Sequence, residues 1–509
     1  MSYFLFFVTL VALCDEALSF STHSLFRTVQ RVPMSLRMAS IETKKLQGFD
    51  SFTRTNPMSD KISASRFHHV EYYCGDATTT YKRFTLGLGM KLISKSDLST
   101  GNSESASYVI QSGELTMCFT APYQCYTDDS QDMDKDNDKD KDKDESDDEG
   151  DSLTGPVDAL VDTLSKPFPG FDTGTAAAFF RKHGLGVRAI AIEVANVQQC
   201  WETMLKEGGV SIKEPTIVMH QADTENATSN KARPNGYAKY AEVALYGDVV
   251  LRLVETDGFQ GAFWPNFQDV NEPLPELLAP SGDYGLHRFD HVVGNLFDLT
   301  AGRERIRKMT GFHDFAEFVA EDVGTVDSGL NSVVLANNNE MVLLPLNEPT
   351  YGTKRKSQIQ TYLEQNNGEG VQHLALFSND IFLTLRSMRA VQAVGGFELM
   401  DPQPPSYYEK IRVRLGDALT EAQYRQCEEL GILADKDDQG VLLQIFTKPV
   451  GDKPTLFLEI IQRIGCQSSR SNKTGEMEMV QKPGCGGFGK GNFKDLFKSI
   501  EDYETDLGI

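Results

Sequence analysis

Short runs in which apolar residues alternate with polar ones, or follow one another, recur along the chain and predict β-strands. Examples are "SVVLANN", "MVLLPLN" and "VLLQIFT", whereas "DIFLTLRSMRAV" has the apolar spacing of a short helix. The predicted strands greatly outnumber the helices that are long enough to connect parallel strands. The pattern therefore favours an α+β fold, in which mixed modules pair into curved sheets, over a doubly wound sheet.

One polar residue interrupts an apolar, strand-like run, "GEGVQHLALFSND" at residues 368–380. Because side chains alternate along a strand, His373 shares a face with Val371 and Ala375. A single histidine in such a position is usually a core residue that is hydrogen-bonded to a neighbour. The alternative is a metal ligand, which requires partners elsewhere in the chain.

The chain contains an internal repeat, in which three segments match three later ones in the same order. The matched pairs are "RFHHVEYY" with "RFDHVVGN", "GVRAIAIEV" with "GVQHLALFS", and "GDVVLRLVE" with "GDKPTLFLE". This order indicates a tandem duplication with halves of about 200 residues. A stretch rich in Pro, Asn and Asp at residues 263–285 is predicted to link them.

The repeat supplies the partners that His373 requires. It places three pairs of residues opposite each other: His291 and His69, His373 and Ala189, and Glu459 and Glu255. The C-terminal half therefore holds two histidines and a glutamate on strand-like segments, whereas the N-terminal half has alanine in the middle position. A matched set that is complete in one half favours a metal site over an isolated core histidine.

Two imidazoles and one carboxylate form the facial triad of non-haem Fe(II) oxygenases, because three protein ligands leave positions on the ion for substrate and O₂. Zinc also binds this set, but the HExxH helix that is typical of zinc proteases is absent from the sequence. Separations of 82 residues from His291 to His373, and of 86 from His373 to Glu459, suit ligands on different strands of a cupped sheet. Spacing alone leaves iron, zinc and manganese open.

Charge limits the classes of partner. The chain of 509 residues has a net charge of −23, which argues against nucleic acid and anionic membranes, because both are polyanions. Residues 128–151 contribute −10 of this charge, with 14 acidic residues and four lysines. So polar a segment predicts a disordered, solvated insert over residues 127–152. The eight cysteines are scattered without a CxxC pair, so reduced thiols are expected.

The N-terminus differs in composition from the rest of the chain. An apolar run at residues 4–14 is shorter than the ~20 residues that span a bilayer and resembles the core of a signal peptide. Residues 17–41 contain arginines and serines but no acid, which is typical of transit peptides. Residues 1–40 are therefore predicted to be a targeting presequence, similar to the two-part presequences of algae with complex plastids. The expected location is the plastid, with the cytoplasm as the alternative, and no later apolar run predicts a membrane span.

Three long segments carry motifs that are far more specific than the ligand spacing. They are "EDVGTVDSGLNSVVLANNNEMVLLPLNEPTYGTKRKSQIQTYLE", "LADKDDQGVLLQIFTKPVGDKPTLFLEIIQRIGC" and "GCGGFGKGNFKDLFKSIEDYE". They resemble the plant-like 4-hydroxyphenylpyruvate dioxygenases of the vicinal-oxygen-chelate superfamily, over residues 67–507. The resemblance implies a vicinal-oxygen-chelate fold, in which tandem halves of paired βαβββ modules form curved, open barrels. It also implies that Fe(II) binds in the C-terminal half alone, in agreement with Ala189.

The resemblance divides the chain into parts. It implies a non-catalytic N-terminal domain at residues 62–262, a linker at 263–285, a catalytic domain at 286–466, and a glycine-rich hinge with a C-terminal lid helix at 467–509. In the tail "GNFKDLFKSIEDYETDL", apolar residues recur at helical spacing and Asn492 suits the N-cap. Simple docking of this helix on the core is the alternative to a lid.

The resemblance also implies the residues of the site. The iron ligands would be His291, His373 and Glu459. Twelve residues would form the substrate pocket: Ser332, Pro345, Asn347, Gln358, Gln372, Gln444, Phe446, Phe457, Phe488, Asn492, Phe493 and Leu496. The phenyl rings would form apolar walls around an aromatic substrate, and the amides and the hydroxyl would hydrogen-bond without competing for iron.

The implied activity is the conversion of 4-hydroxyphenylpyruvate and O₂ to homogentisate and CO₂, with the α-keto acid of the substrate chelating Fe(II). Homogentisate would serve tyrosine breakdown, or quinone and tocopherol synthesis. One alternative is hydroxymandelate synthase, which oxidises the side-chain carbon of the same substrate. Another is a non-catalytic binding protein of the same fold, which the intact triad disfavours. A homodimer is expected from the resemblance.

Overall fold

Four copies of a β-α-β-β-β unit account for most of the strands. The computed structural model describes residues 46–124, 168, 171–219, 236–271, 283–323, 328–471 and 477–508. The predicted presequence, the predicted acidic insert and residues 272–282 of the predicted linker lie outside the described residues. All described residues belong to one compact unit that spans residues 45–509. Within them, no helix is long and apolar enough to cross a membrane.

Units 1 and 2 form the N-terminal half. Unit 1 consists of β1 (Ala64–Tyr73), α1 (Ala77–Leu88), β2 (Lys91–Ser96), β3 (Ser105–Ser112) and β4 (Leu115–Pro122). After helix α2 (Thr173–His183), unit 2 consists of β5 (Gly186–Val194), α3 (Val197–Lys206), β6 (Ser211–Met219), β7 (Tyr237–Tyr246) and β8 (Val249–Asp257). A two-residue strand, β9 (Gln268–Asp269), pairs with β2.

Units 3 and 4 form the C-terminal half. Unit 3 consists of β10 (Leu286–Asn295), α4 (Leu299–Thr310), β11 (His313–Phe318), the short α5 (Ala320–Val323), β12 (Leu330–Ala336) and β13 (Leu343–Pro349). Helix α6 (Gln358–Gln365) leads to unit 4, which begins with β14 (Gly370–Ser378) and α7 (Ile381–Gln392). Two inserted helices follow, α8 (Pro405–Leu415) and α9 (Glu421–Leu430). The unit ends with β15 (Leu433–Lys436), β16 (Gly440–Phe446) and β17 (Phe457–Gly465). A hairpin of β18 (Gln467–Ser471) and β19 (Met477–Gln481) precedes the C-terminal helix α10 (Phe493–Leu507). Short 3-10 helices lie at Phe49–Ser51, Leu98–Thr100, Gly416–Ala418 and Lys490–Asn492.

Each half is built on one sheet, in which the first strands of its two units pair at the centre. Among the described residues the order is β6-β7-β8-β5-β1-β4-β3-β2-β9 in the N-terminal half and β11-β12-β13-β10-β14-β17-β16-β15 in the C-terminal half. β1 pairs antiparallel with β5, and β10 with β14, whereas β14 pairs parallel with β17. This architecture confirms the predicted α+β fold of paired βαβββ modules.

The first helix of each unit begins at the same kind of N-cap. Asp76, Asn196, Asp298 and Asp380 precede α1, α3, α4 and α7, and each side chain accepts a hydrogen bond from a backbone amide of the first turn. Such a bond stabilises a helix by about 1 kcal/mol, because it satisfies an amide that has no partner within the helix. The sequence therefore starts each helix just after the central strand of its unit.

The structure corrects one pair of the sequence repeat. Ala375 is the sixth residue of β14 and lies opposite Glu459 of β17. Ala191 is the sixth residue of β5 and lies opposite Arg252 of β8. Arg252 therefore occupies the position that corresponds to Glu459, and the predicted match of Glu459 with Glu255 is wrong.

Glu255 instead corresponds to Gln462, three residues after the position of Arg252 and Glu459. The Glu255 side chain accepts a hydrogen bond from the backbone N–H of Val197, the first residue of α3. Gln462 accepts the equivalent bond from Ile381, the first residue of α7. Both side chains thus hold the start of a helix and take no part in a metal site.

The hydrophobic core continues from one half to the other. Phe67 of β1 contacts Phe289 of β10 edge to face, with ring centres 6.0 Å apart. Phe84 of α1 contacts Phe397, which follows α7, at 4.9 Å. At the start of the predicted linker, Trp264 is buried and packs against the N-terminal half.

Two cysteines contradict the expectation of reduced thiols. The sulfurs of Cys466 and Cys485 form a disulfide between the end of β17 and the glycine-rich segment before α10. The spacing of 19 residues gave no signal, because pairing depends on how the hairpin of β18 and β19 folds back. The other described cysteines are buried and free: Cys74, Cys118, Cys200 and Cys427.

Candidate metal centre and substrate cavity

Three adjacent strands bring the two histidines and the glutamate of the C-terminal half together. Ala375 on β14 lies opposite both His291 on β10 and Glu459 on β17. His373 lies two residues before Ala375, so its side chain points to the same face of the sheet. The small side chain of Ala375 leaves room between the three larger ones.

The three side chains converge on one point. One potential ligand atom of each residue lies within 4.8 Å of the other two. Nε2 of His291 is 3.1 Å and Nε2 of His373 is 3.5 Å from the same oxygen, Oε2 of Glu459. His291 and Glu459 are buried, and His373 is 12% exposed. Two imidazole nitrogens and a carboxylate oxygen in this arrangement form a donor set that fits a divalent transition metal.

Neighbouring side chains hold the outer nitrogens of both histidines. Nδ1 of His291 lies 2.9 Å from Oδ2 of Asp290, and Nδ1 of His373 lies 3.0 Å from Oε1 of Gln372. Hydrogen bonds at Nδ1 leave the Nε2 lone pairs free for a metal, as in most metal-binding histidines. Asp290 is in turn bound by Arg463, which donates to both of its oxygens.

Burial and mutual contact shift the pKa values of the three groups. Burial alone would raise the pKa of Glu459, but hydrogen bonds and charge from the two histidines outweigh it and hold this pKa at about 2. Burial lowers the pKa of His373. For His291, hydrogen bonds to Asp290 and Glu459 outweigh burial and raise the pKa. The carboxylate is thus stabilised by positive charge beside it, which a divalent cation supplies more strongly than a proton on imidazole.

A cavity opens directly from this centre. Its walls combine apolar side chains with a few amides and one hydroxyl, which suits a small aromatic ligand. Eleven of the twelve residues predicted for the substrate pocket line it: Ser332, Pro345, Asn347, Gln358, Gln372, Gln444, Phe446, Phe457, Phe488, Phe493 and Leu496.

Three phenylalanines pack around the histidines. Phe457 stacks on His373 with ring centres 4.9 Å apart, and Phe446 contacts the same ring edge to face at 5.9 Å. Phe488 contacts His291 at 5.2 Å. These rings shield the centre from water and present flat apolar surfaces to a ligand.

The C-terminal helix covers one side of the cavity. Four side chains of α10 line it: Phe493, Leu496, Phe497 and Ile500. The segment before α10 approaches the cavity at Gly489, which has a φ of 74°. A Cβ atom at this position would lie 2.7 Å from Nε2 of Gln444, so only glycine fits beside this amide without displacing it.

Similar proteins agree on one family. The chain is 51% identical to 4-hydroxyphenylpyruvate dioxygenase from Daucus carota over 467 residues, which is 91% of this chain and 93% of that protein. It is 49% identical to that of Arabidopsis thaliana over 466 residues, or 91% and 93% of the two chains. It is 32% identical to that of Dictyostelium discoideum over 448 residues, or 87% and 99%. The chain belongs to the 4-hydroxyphenylpyruvate dioxygenase family.

Solved structures show that the fold is the one predicted. A triple mutant of 4-hydroxymandelate synthase from Streptomyces coelicolor aligns with a TM-score of 0.60 at 20% identity, over 87% of this chain and 100% of that one. A xylose isomerase-like TIM barrel/4-hydroxyphenylpyruvate dioxygenase fusion protein aligns with a TM-score of 0.51 at 17% identity, over 87% of this chain and 54% of that one. The vicinal-oxygen-chelate fold expected for the dioxygenase family is thereby confirmed. No protein-family model matches the chain.

Asn492 is the one predicted pocket residue that does not line the cavity. It occupies the N-cap position of α10, but its side chain makes no cap hydrogen bond. Its Oδ1 instead accepts hydrogen bonds from Oη of Tyr407, at 2.8 Å, and from Nη2 of Arg414, at 2.9 Å. The side chain therefore anchors the start of α10 to α8, and its contact with substrate stays a prediction.

Several apolar residues of the cavity are not among the predicted site residues. Val293, Val334 and Ile461 line it, and each lies two residues after a predicted site residue of the same strand. Strand alternation could have identified them. Leu330, two residues before Ser332 on β12, follows from the same alternation, whereas Phe318 lies on β11, which carries no predicted site residue.

In the N-terminal half, a guanidinium occupies the corresponding position. Nη1 of Arg252 lies 3.0 Å from Nε2 of His69. The other nitrogens of Arg252 donate to Glu71 at 2.6 Å and to Glu242 at 2.8 Å. With Ala189 in place of a second histidine, and the Arg252 side chain already beside the carboxylates, this position lacks the two-histidine, one-carboxylate set of the C-terminal half.

Proposed function

We propose that this chain is an Fe(II)-dependent dioxygenase that converts 4-hydroxyphenylpyruvate and O₂ to homogentisate and CO₂. The observation that carries the proposal is the convergence of His291, His373 and Glu459 beside a largely apolar cavity in a member of this family. Zinc and manganese suit the same donors. Iron is proposed because dioxygenation requires a metal that activates O₂ and binds a two-histidine, one-carboxylate triad.

His291, His373 and Glu459 are the proposed iron ligands. Three protein ligands leave positions of an octahedral ion for substrate and O₂. Iron, when bound there, supplies the activation of O₂ that side chains cannot provide. The contribution of the chain is to present two imidazole nitrogens and a carboxylate from one face of a sheet, with their outer atoms held by neighbouring side chains.

The cavity residues are proposed to bind and orient the substrate. Phe446 and Phe457 flank His373 and would hold the aromatic ring close to the metal. Four neutral polar side chains can hydrogen-bond to the phenol or the keto acid without replacing a metal ligand: Ser332, Asn347, Gln358 and Gln444. Asn347 is itself held in place, since its Nδ2 donates to Oδ1 of Asn295 at 3.2 Å.

The C-terminal helix α10 is proposed to act as a lid. Its apolar face lines the cavity through Phe493, Leu496, Phe497 and Ile500, so movement of the helix would open the site to solvent. Glycines in the preceding segment with positive φ allow such a change of direction: Gly484, Gly486, Gly487 and Gly489. A closed helix would exclude water during the reaction.

The test is turnover with identification of the product. The purified full chain is loaded with Fe(II) and given 4-hydroxyphenylpyruvate in air. Homogentisate, with one CO₂ released for each O₂ consumed, would support the proposal. 4-Hydroxymandelate would indicate the synthase-type reaction instead, and because the two products are isomers they must be separated by chromatography against standards. Absence of turnover by the iron-loaded chain would favour a non-catalytic binding protein.

Two variants assign the reaction to one half. His373→Ala is expected to abolish iron loading and turnover while the fold survives. His69→Ala removes the corresponding histidine of the N-terminal half, and it should keep its iron and most of its turnover, although it also removes a buried neighbour of Arg252. Substantial product from the first variant, or a large loss of iron from the second, would contradict the assignment.

Three further predictions remain proposals. A homodimer would appear in light scattering of the purified chain as twice the mass of 56.6 kDa, less any cleaved presequence. Plastid targeting would appear as import of a fluorescent protein fused to residues 1–40. The division into a non-catalytic and a catalytic domain is tested by the pair of histidine variants.

A further inference from the structure

An ion pair that is closed to solvent lies directly behind His291. The side chains of Asp290 and Arg463 are both 0% exposed, and the guanidinium donates to both carboxylate oxygens, from Nε at 2.9 Å and from Nη2 at 2.7 Å. Oδ2 of Asp290 also lies 2.9 Å from Nδ1 of His291. Neither side chain lines the cavity, so the pair contacts the candidate ligand from its outer side alone.

Arg463 also reaches the glycine-rich segment that leads to α10. Its Nη1 donates to the backbone oxygen of Cys485 at 2.5 Å and to that of Gly487 at 2.7 Å. The next residue, Phe488, contacts the ring of His291 at 5.2 Å. One guanidinium thus binds both the carboxylate behind His291 and the backbone that places Phe488 against the same imidazole.

The repeat provides an internal comparison. In the N-terminal half, His68 stands where Asp290 stands, and the exposed Thr256 stands where Arg463 stands. That half also lacks the complete set of metal donors. An ion pair that served only to stabilise this kind of sheet would be expected in both halves, whereas it occurs in the half that has the donor set.

We propose that Asp290 and Arg463 are positioning residues of the metal centre. Asp290 holds His291 with Nε2 towards the metal, and Arg463 couples this orientation to residues 485–488 before the C-terminal helix. The inference rests on the proposed metal site. A carboxylate that accepts the Nδ1–H of a metal-binding imidazole fixes its tautomer and ring orientation, and loss of such a partner weakens metal binding by about 10- to 100-fold.

A purely structural role makes different predictions. If the pair only stabilised the fold, altering it would lower the resistance to unfolding but leave the folded protein with the same affinity for metal. The geometry of the bound metal would also be unchanged. Metal affinity and the ligand-field spectrum therefore separate the two roles without any measurement of turnover.

The first experiment uses the full chain and Co(II), whose visible absorption depends on its ligands and their geometry. Asp290→Asn keeps the shape and one oxygen acceptor but removes the charge. We expect the Co(II) dissociation constant, measured by competition with a chelator, to rise by about 10- to 100-fold, with an altered absorption band. The matched control is Asp314→Asn, which removes a carboxylate 2.7 Å from the buried Arg303 in the same half and should change neither quantity.

The second experiment tests the coupling through Arg463→Lys. Lysine keeps a positive charge for Asp290, but a single ammonium cannot bind both carboxylate oxygens and two backbone oxygens at once. We expect faster hydrogen exchange of residues 485–488 in the chain without metal. We also expect weaker binding of Co(II), although the altered residue is not a ligand.

Each outcome bears on a distinct statement. An unchanged Co(II) dissociation constant and spectrum in Asp290→Asn would overturn the positioning role. Faster exchange in Arg463→Lys with unchanged affinity would overturn the coupling. If a single variant fails to fold, the double variant Asp290→Asn/Arg463→Gln, which removes both charges of this pair, is judged by the same criteria. Failure of the unaltered chain to bind Co(II), or equal binding by His373→Ala, would instead refute the proposed metal site.

Discussion

Replacing Arg252 with methionine should destabilise the chain by about 3–5 kcal/mol, although the residue lies in the half without the candidate metal site. The guanidinium is buried and donates to Glu71 at 2.6 Å and to Glu242 at 2.8 Å. Methionine fills a similar volume but carries no charge. The carboxylate of Glu71, which is 1% exposed, would keep only the hydrogen bond from Thr120 at 2.6 Å.

The magnitude follows from the burial of this carboxylate. Two opposite charges inside a protein gain little net stability from each other, because each has also lost its hydration. Removal of one partner leaves the other buried without compensation, and this costs about 3–5 kcal/mol in comparable cases. For one compact unit of residues 45–509, an unfolding entropy of about 2.1 cal/mol/K per residue makes each kcal/mol worth about 1 °C, so the melting temperature should fall by roughly 3–5 °C.

Urea unfolding followed by tryptophan fluorescence measures the effect, because Trp201 and Trp264 both pack in the N-terminal half. Glu71 is the more deeply buried of the two carboxylates that lose Arg252 as a partner, so the double variant Arg252→Met/Glu71→Gln should recover at least about 2 kcal/mol of the loss. Arg66→Met is the matched control, since it breaks a partly exposed ion pair of the same half and should cost less than about 1 kcal/mol. A loss in Arg252→Met no larger than in the control, or no recovery in the double variant, would refute the reasoning.

Three further predictions concern the C-terminal half. Because hydrogen bonds raise the pKa of His291, binding of a metal near pH 7 should release protons, and the metal affinity should fall as the pH drops. Calorimetry in buffers of different ionisation enthalpy counts the released protons, and release of none would contradict this. Burial raises the pKa of Glu504 to about 7, so its contribution to stability is full below pH 4.5 and is lost as the pH rises to 7. The stability of Glu504→Gln relative to the unaltered chain should therefore rise with pH over this range, by at most about 3 kcal/mol in urea unfolding. A stability difference that does not depend on pH would disprove the cause. Gly489→Ala should lower the free energy of unfolding by about 1–2 kcal/mol, because it forces alanine to a positive φ. The added methyl group would also displace Gln444 and should raise KM more than it lowers kcat. An unchanged KM would show that this amide does not bind substrate.

The strands that carry the candidate centre could be predicted from the sequence because two independent patterns agree on them. Period-2 alternation marks β14 and β17 as strands, and the repeat places His291 and His373 in segments that match strands of the other half. A buried carboxylate such as Glu459, between apolar neighbours, then requires a cation. These patterns follow from the order of residues along the chain, so they do not depend on which distant segments come into contact.

The match of Glu459 with Glu255 failed for a physical reason. β7 and β8 are joined by a tight turn at residues 247–248, whereas ten residues, 447–456, join β16 and β17. Aligning both segments from their shared Gly-Asp pair ignored this longer loop and shifted the register by three residues. Loop length does not change the hydrophobic pattern of a strand, so only the pairing of the strands shows that Arg252 is the counterpart.

Contacts between distant segments account for the rest of what the sequence did not show. Asn492 is of a residue type that favours the N-cap, but its side-chain oxygen instead accepts hydrogen bonds from Tyr407 and Arg414 of the inserted helix α8. Cys466 and Cys485 meet because a hairpin returns the chain to the end of β17. None of these partners could be assigned before the helices and the hairpin had been placed.

The three candidate ligands lie on neighbouring strands yet are separated by 82 and 86 residues of chain. Two long loops must close, and three central strands must be in register, before the donors meet. Metal therefore cannot nucleate this architecture in the way that it folds a small zinc finger. The metal binds to a fold that has already formed. A chelator should therefore remove the ion and leave a native-like protein that can bind metal again.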